Sequence, residues 1–223
     1  AAVKEYWEQG GKGCLGLHLE GPFISPEKNG AHILKYIKVP DSEDIDWILS
    51  HGAGIVKMMT VAPERVAPEL ITRLQQAGIL ISAGHSNGTY QQLYQSFENG
   101  ITTCTHLFNA MSQLQSRAPG MVGAIYDHPH VHASVVADGI HVDFNTIRIS
   151  KKIMGNRLFL ITDAVAGSDS AEYGFHWNQA SNRFEDANGT LSGSALTMLE
   201  AVRNCIAQVG IAPEEALRMA AAY

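Results

Sequence analysis

The sequence predicts an α/β fold built on a parallel sheet, and three observations carry that prediction. Short, near-continuously apolar runs alternate with amphipathic stretches along most of the chain. Several of the amphipathic stretches stop at a glycine. The apolar runs themselves end in polar islands: His18-Leu19-Glu20-Gly21-Pro22-Phe23, Ala83-Gly84-His85-Ser86, Thr105-His106-Leu107-Phe108-Asn109-Ala110 and Ile161-Thr162-Asp163-Ala164. Apolar strands of this kind belong to a sheet covered on both faces. Repeated βα units make such a sheet parallel, either doubly wound or closed into a barrel.

In chain order, strands are expected at 14–19, 54–60, 79–84, 101–106, 132–137 and 158–162. Between them, residues 64–77 place Val66, Leu70, Ile71 and Leu74 on one helical face, and Gly78 ends the run. Residues 89–99 do the same with Tyr90, Leu93, Tyr94 and Phe97 before Gly100, and residues 144–154 with Phe144, Ile147 and Met154 before Gly155. The rhythm breaks at 172–191. There Tyr173-Gly174-Phe175-His176-Trp177 and Asn188-Gly189-Thr190-Leu191 read as a hairpin insertion, with turn chemistry at Asn182 and Asn188-Gly189. Ser194 is expected to open a helix near 195–208, and Pro213 another at its first turn.

With 223 residues, 45% hydrophobic and 17% charged, the chain suits one globular domain over 1–223 with a sizeable core. A net charge of −6 without a basic patch argues against a nucleic-acid partner. No apolar run is long enough for a membrane span, and no secretory signal opens the chain. It begins at Ala1 without a methionine and stops inside a helical pattern at Tyr223, so both ends read as cut. Cys14, Cys104 and Cys205 are odd in number, and no pair has ligand spacing, which suits a reducing cytoplasm. Cys14 and Cys104 fall in strand-like runs and are expected in the core.

The polar strand ends carry the chemistry. In a βα barrel, catalytic groups come from the C-terminal ends of several strands. Glu20, His85, His106 and Asp163 stand there, and His141 follows its strand through Ala137-Asp138-Gly139-Ile140. Two histidines and a carboxylate suffice to hold a divalent metal with one position open. Water bound there has its pKa lowered to about 7. A nearby Asp can take the proton, and a His can polarise the carbonyl under attack. The competing reading is an α/β domain whose polar strand ends only satisfy loops.

The same residues resemble a known family. His18-Leu19-Glu20-Gly21-Pro22-Phe23 followed by Lys28-Asn29-Gly30-Ala31-His32 is similar to the signature of N-acetylglucosamine-6-phosphate deacetylases of the amidohydrolase superfamily. The likeness continues, in family order, through Ser82-Ala83-Gly84-His85-Ser86-Asn87, Thr105 to Met111, Ala137 to His141, Thr162-Asp163-Ala164 and Gly189 to Ser194. It implies a TIM-like (β/α)8 barrel of the metal-dependent hydrolase type, with part of a small accessory β-sandwich. The barrel would be incomplete in this chain, whose strands would be the third through eighth, so that these residues alone would fold poorly.

The resemblance also implies roles. Glu20, His85 and His106 would be the ligands of a divalent metal, Zn²⁺ ahead of Fe²⁺. Asp163 would be the general base and then acid, and His141 would polarise the acetamide carbonyl. Asn109 and the backbone of Ala110 would hold the sugar phosphate. Arg117 would reach it from the neighbouring subunit of a homodimer, and His32, with Ala31, would be a further phosphate-side contact. Asp138, Gly139, Ile140 and His141, with Leu191, Ser192 and Gly193, would line the sugar pocket. The implied reaction releases acetate and glucosamine 6-phosphate in the cytoplasm. Rival readings are another amidohydrolase chemistry, such as a cyclic amidase or deaminase, and an inactive fragment.

Three further features invite a metal role. His128-Pro129-His130-Val131-His132 precedes a strand rather than ending one, and reads as a loop of surface histidines. Lys57 falls mid-strand, where some dinuclear relatives carry a bridging lysine; a structural or supporting role is expected instead. His18 shares the face of Glu20 by alternation and is expected to pack or hydrogen-bond.

Overall fold

The computed structural model describes residues 2–169, 174–179, 183–187 and 189–223. Six strands form one sheet: β1 Leu17–Glu20, β2 Val56–Val61, β3 Leu80–Ala83, β4 Thr103–Cys104, β5 His132–Val136 and β6 Leu158–Ile161. Their spatial order is their chain order, and every neighbouring pair is parallel. A doubly wound sheet reverses strand order at a switch point; this one never does. Strictly sequential parallel strands are the winding of a βα barrel, here an arc of six.

All six expected strands are present, with shifted bounds. β1 begins at Leu17, after Gly16 passes close to the chain entering β2, where a Cβ would sit 2.6 Å from the Ile55 carbonyl oxygen. β4 is only two residues long, since the chain leaves the ladder where His106 takes a left-handed backbone, φ +35°.

The helices are α1 Ala2–Glu8, α2 Ser42–His51, α3 Pro68–Gln76, α4 Tyr90–Glu98, α5 Gly120–Asp127, α6 Phe144–Met154, α7 Met198–Asn204 and α8 Pro213–Ala221. The helix expected at 64–77 starts only at Pro68, after a short 3-10 turn at Pro63–Arg65. A proline disfavours helical geometry in the residue before it, which keeps Ala67 extended at ψ 135°. α4 opens on a capping box between Thr89 and Gln92. α7 opens on another, between Thr197 and Glu200, rather than at Ser194. The Ser194 hydroxyl is instead engaged with the Thr162 carbonyl. A π turn, Cys205–Val209, continues α7.

α1, α2 and α5 were not expected. α2 carries a capping box made by two aspartates, Asp41 and Asp44. α5 is buried over Gly120–Ile125, so it has no polar face to give it a period. A second, antiparallel sheet holds β7 Ser168–Asp169, β8 Gly174–Asn178 and β9 Arg183–Glu185 in that order. β8 therefore pairs with Arg183–Glu185, with the Trp177 and Phe184 rings 5.2 Å apart, and Leu191 only bridges Glu185. That corrects the hairpin partner expected from sequence. Tyr173, Asn182 and Asn188 lie outside the described residues.

The core lies between the strands and helices, with Met59, Leu74, Ile81, Leu93, Val135 and Ile147 fully or almost fully buried. Cys104 and Cys205 are buried in it, whereas Cys14 is half-buried and lies ahead of β1 rather than in a strand. No helix among the described residues is long and apolar enough to cross a membrane.

Candidate active site

The C-terminal rim of the sheet gathers the ionisable groups. Glu20 ends β1, His85 and His106 each stand two residues past β3 and β4, and Asp163 stands two residues past β6. His85, His106 and Asp163 all have left-handed backbones, at φ +46°, +35° and +50°. Each such residue costs of order ~1–3 kcal/mol and persists only where its surroundings hold it. The holding contacts are present. Ser25 N–H donates to the His85 carbonyl (2.8 Å), Ser134 Oγ accepts from His106 N–H (2.8 Å), and Ser194 N–H donates to the Asp163 carbonyl (2.7 Å).

The side chains then converge. Glu20 Oε1 lies 2.9 Å from His106 Nε2 and 3.3 Å from His85 Nε2, and the two Nε2 atoms are 3.0 Å apart. Two imidazoles on tetrahedral Zn²⁺ place their nitrogens about 3.3 Å apart. His85 Nδ1 lies 2.7 Å from the Lys28 carbonyl, which accepts only from an N–H, so Nε2 carries the lone pair. The donor set and its spacing fit a divalent cation.

Glu20, His32 and His85 also bring one donor atom each within 4.8 Å of one another. His32 Nε2, however, is 3.7 Å from Glu20 Oε2, farther than His106 is from Oε1. His106 is buried whereas His32 is half-buried, so His106 lies deeper in the cavity and His32 nearer its mouth.

Charges reinforce the arrangement. Burial raises the Glu20 carboxyl, but the His106 hydrogen bond and the other imidazoles gathered around it, His32 and His85, together outweigh burial and hold it far below the usual carboxylate range. Burial pulls His106 down, while the Glu20 hydrogen bond and charge and the Asp163 charge carry it above the usual imidazole range. Under the site, His18 Nε2, Thr60 Oγ1, Thr105 Oγ1 and Ser82 Oγ form a chain with 2.7 Å links.

The ionisable groups at the rim border one cavity of about 270 Å³. Glu20, His85, His106, His141 and Asp163 line it together with Ala31, His32, Asn109, Ala110, Leu191, Ser192 and Gly193. Gly30, Val165 and Phe175 line it too and were not expected. Only Gly30 left a trace in the sequence, in the turn-forming pair Asn29-Gly30; a Cβ there would stand 3.1 Å from His85 Cε1. Asp138 and Ile140 face an adjoining depression of about 300 Å³ that shares His141 and Gly193. Asp138 Oδ2 accepts from His141 Nδ1–H at 2.6 Å. Gly139 packs on the Phe144 ring, where a Cβ would approach to 2.7 Å. Arg117 is not brought to the cavity of its own chain. It is exposed and lines a separate depression with Lys28 and Gln113.

The remaining candidates lie elsewhere. His128 is buried rather than at the surface, hydrogen-bonded to Glu98 (3.1 Å) and packed on Tyr94 and Phe97. It leads into β5, on the opposite rim from Glu20. Lys57 is exposed and alternates with Thr60 and Glu20, which register side by side, so it sits on the other sheet face.

The chain as a whole is similar to known proteins. The amidohydrolase family model matches residues 3–223. The chain is 37% identical to the N-acetylglucosamine-6-phosphate deacetylase of Haemophilus influenzae over 99% of its own length and 60% of that protein's. It is 35% identical to the N-acetylgalactosamine-6-phosphate deacetylase of a Shewanella species, over 93% of its length and 54% of the relative's. Among solved structures, it superposes on the N-acetylglucosamine-6-phosphate deacetylase of Pasteurella multocida with a TM-score of 0.89 at 37% identity, covering 97% of this chain and 58% of that one. A mutant enzyme from Mycobacterium smegmatis, in complex with N-acetyl-D-glucosamine-6-phosphate, gives 0.87 at 32% identity, covering 98% and 58%. The chain thus spans a little over half the length of the relatives it matches.

Proposed function

The chain belongs to the amidohydrolase family, and from that premise we propose that it carries the site for hydrolysing the N-acetyl amide of N-acetylglucosamine 6-phosphate. The products are acetate and glucosamine 6-phosphate. The observation that carries the proposal is the convergence of Glu20, His85 and His106 in the cavity that Asp163 and His141 also line.

In this reading Glu20, His85 and His106 would hold a divalent metal, Zn²⁺ ahead of Fe²⁺. Such a cation supplies Lewis acidity, polarising the carbonyl and lowering the pKa of water to about 7. Asp163 takes the proton of the attacking water and returns it to the departing amine. His141, fixed at Nδ1 by Asp138, has Nε2 left to donate to the developing oxyanion. Asn109 and the Ala110 backbone hold the phosphate, with His32 and Ala31 beside it. Leu191, Ser192 and Gly193 wall the sugar. Gly193 is required there, since a Cβ would press to 2.5 Å on Val165 Cγ1 and to 3.0 Å on the Asp163 carbonyl. Arg117 completes the phosphate site of the neighbouring subunit in a cytoplasmic homodimer, which accounts for its distance from its own cavity.

The galactosamine relatives favour one second reading, the C4 epimer as substrate. The test is acetate release by the full-length protein from N-acetylglucosamine 6-phosphate, its galacto epimer, the unphosphorylated sugars and a cyclic amide. Preference for the phosphorylated gluco sugar supports the proposal. Faster release from the galacto epimer replaces it with the second reading. Turnover of the cyclic amide alone, or of none of them, refutes both.

A further inference from the structure

Glu64 lies outside every role assigned above. It sits in the turn Pro63–Arg65 just past β2, beside the rim rather than in the cavity. Both of its carboxylate oxygens are taken by the turn that follows His85. Ser86 Oγ–H donates to Oε2 at 2.6 Å, and Asn87 N–H donates to Oε1 at 2.8 Å.

Ser86 is fully buried, and its hydroxyl also accepts from Gly88 N–H at 3.1 Å. Gly88 makes the close packing feasible: a Cβ there would stand 3.1 Å from Glu64 Oε2 and 2.1 Å from Leu93 Cδ2. The clamp continues to the next loop. Ser112 N–H donates to the Ser86 carbonyl (3.0 Å) and Ser112 Oγ–H to the Gly88 carbonyl (2.6 Å). The turn behind His85 is thus fastened on one side to the end of β2, and on the other to the loop that carries His106.

His85 needs such fastening. Its left-handed backbone, φ +46°, is uphill for any residue with a Cβ. Its ring meets the Lys28 carbonyl at Nδ1 and packs edge-on against His32 and His106, while the Ser25 N–H holds its backbone carbonyl. A charge-assisted pair of hydrogen bonds from the next two residues, the Ser86 bond half-buried and the Asn87 bond exposed, restrains that turn.

We propose that Glu64 is a positioning residue for His85: its carboxylate fixes the Ser86–Gly88 turn and so the aim of the His85 imidazole toward Glu20 and His106. This rests on the reading that those three side chains hold a divalent metal.

The test compares full-length wild-type protein with Glu64→Ala, Glu64→Gln and Ser86→Ala. Zn²⁺ affinity is measured by competition with a chromophoric chelator, the visible spectrum is recorded with Co²⁺ in the site, and Tm is followed in parallel. Loss of a group that orients a metal ligand weakens affinity about 10- to 100-fold. Glu64→Ala is expected to fall in that range and to alter the Co²⁺ bands. Glu64→Gln should recover part of the affinity, since its amide oxygen still accepts from Asn87 N–H. Ser86→Ala should lose less than Glu64→Ala. If Glu64→Ala does not fold, the Gln and Ser86 variants decide the matter by the same measure. Unchanged affinity and spectrum with a lowered Tm would overturn the proposal alone. A wild-type protein that holds no metal would overturn the metal reading, and this proposal with it.

Discussion

Replacing Asp138 with Asn probes how His141 works. Asp138 Oδ1 accepts from the backbone N–H groups of Ile140 (2.9 Å) and His141 (2.8 Å), and Oδ2 accepts from His141 Nδ1–H (2.6 Å). Both side chains are nearly buried, at 6% and 11% exposed, so solvent screens the pair little. In the variant, the amide oxygen must stay with the two backbone donors, and the NH₂ then faces His141 Nδ1. The ring is left neutral, with its proton on Nε2. It still donates into the cavity, but without a carboxylate behind it. A hydrogen bond to a charged group contributes about 1.5–3 kcal/mol and a neutral one about 0.5–1.5 kcal/mol. The difference, about 1–1.5 kcal/mol, corresponds to a loss of about 5- to 15-fold in kcat. Steady-state acetate release from N-acetylglucosamine 6-phosphate reads it directly. A kcat within twofold of wild type, or a loss confined to KM, would refute the assignment of His141 to the developing oxyanion.

Four further outcomes are expected. Burial raises the Asp138 carboxyl, but the His141 hydrogen bond and charge, with the backbone N–H groups of His141 and Ile140, together outweigh burial and hold it below the ordinary range. Its stabilising contribution is therefore complete above about pH 3.9 and lost as pH falls through the depressed value, so Asp138→Asn should flatten acid unfolding below about pH 4; an unchanged acid limb would contradict this. Asp163→Asn should nearly abolish turnover while metal content stays at the wild-type level, and near-normal kcat would remove Asp163 as the base. Arg117→Ala should raise KM for the phosphorylated sugar far more than for its unphosphorylated analogue, and equal effects would end its phosphate role. Burial raises the Cys205 thiol to about 11 and the Cys104 thiol further still. Alkylation of native protein at neutral pH should therefore label Cys14 alone, and labelling of all three before unfolding would contradict the buried placement.

The sheet was legible because its strands are apolar on both faces, and the strand ends because a polar group breaks each run. α5 was not, since a helix buried all round has no polar face to mark a period. α2 was hidden by a cap built from Asp41 and Asp44 where Glu or Gln would advertise the third position. At the site, residue type and position sufficed to gather Glu20, His85, His106, His141 and Asp163. The left-handed backbones of His85, His106 and Asp163, the carbonyl of Lys28 that sets the His85 tautomer, and the Glu64 clamp depend on chain segments far apart in sequence. No local pattern records such contacts. His128 shows the converse: a histidine beside two others reads as surface, yet Tyr94, Phe97 and Glu98 enclose it.

The most direct test of the central claim is metal content per chain, taken with acetate release on the same full-length sample before and after chelation. The account predicts bound metal and release together, loss of both on chelation, and return of both with Zn²⁺, with Glu20→Gln deficient in each. Undiminished release from chelated, metal-free protein, or full metal retention by Glu20→Gln, would contradict it.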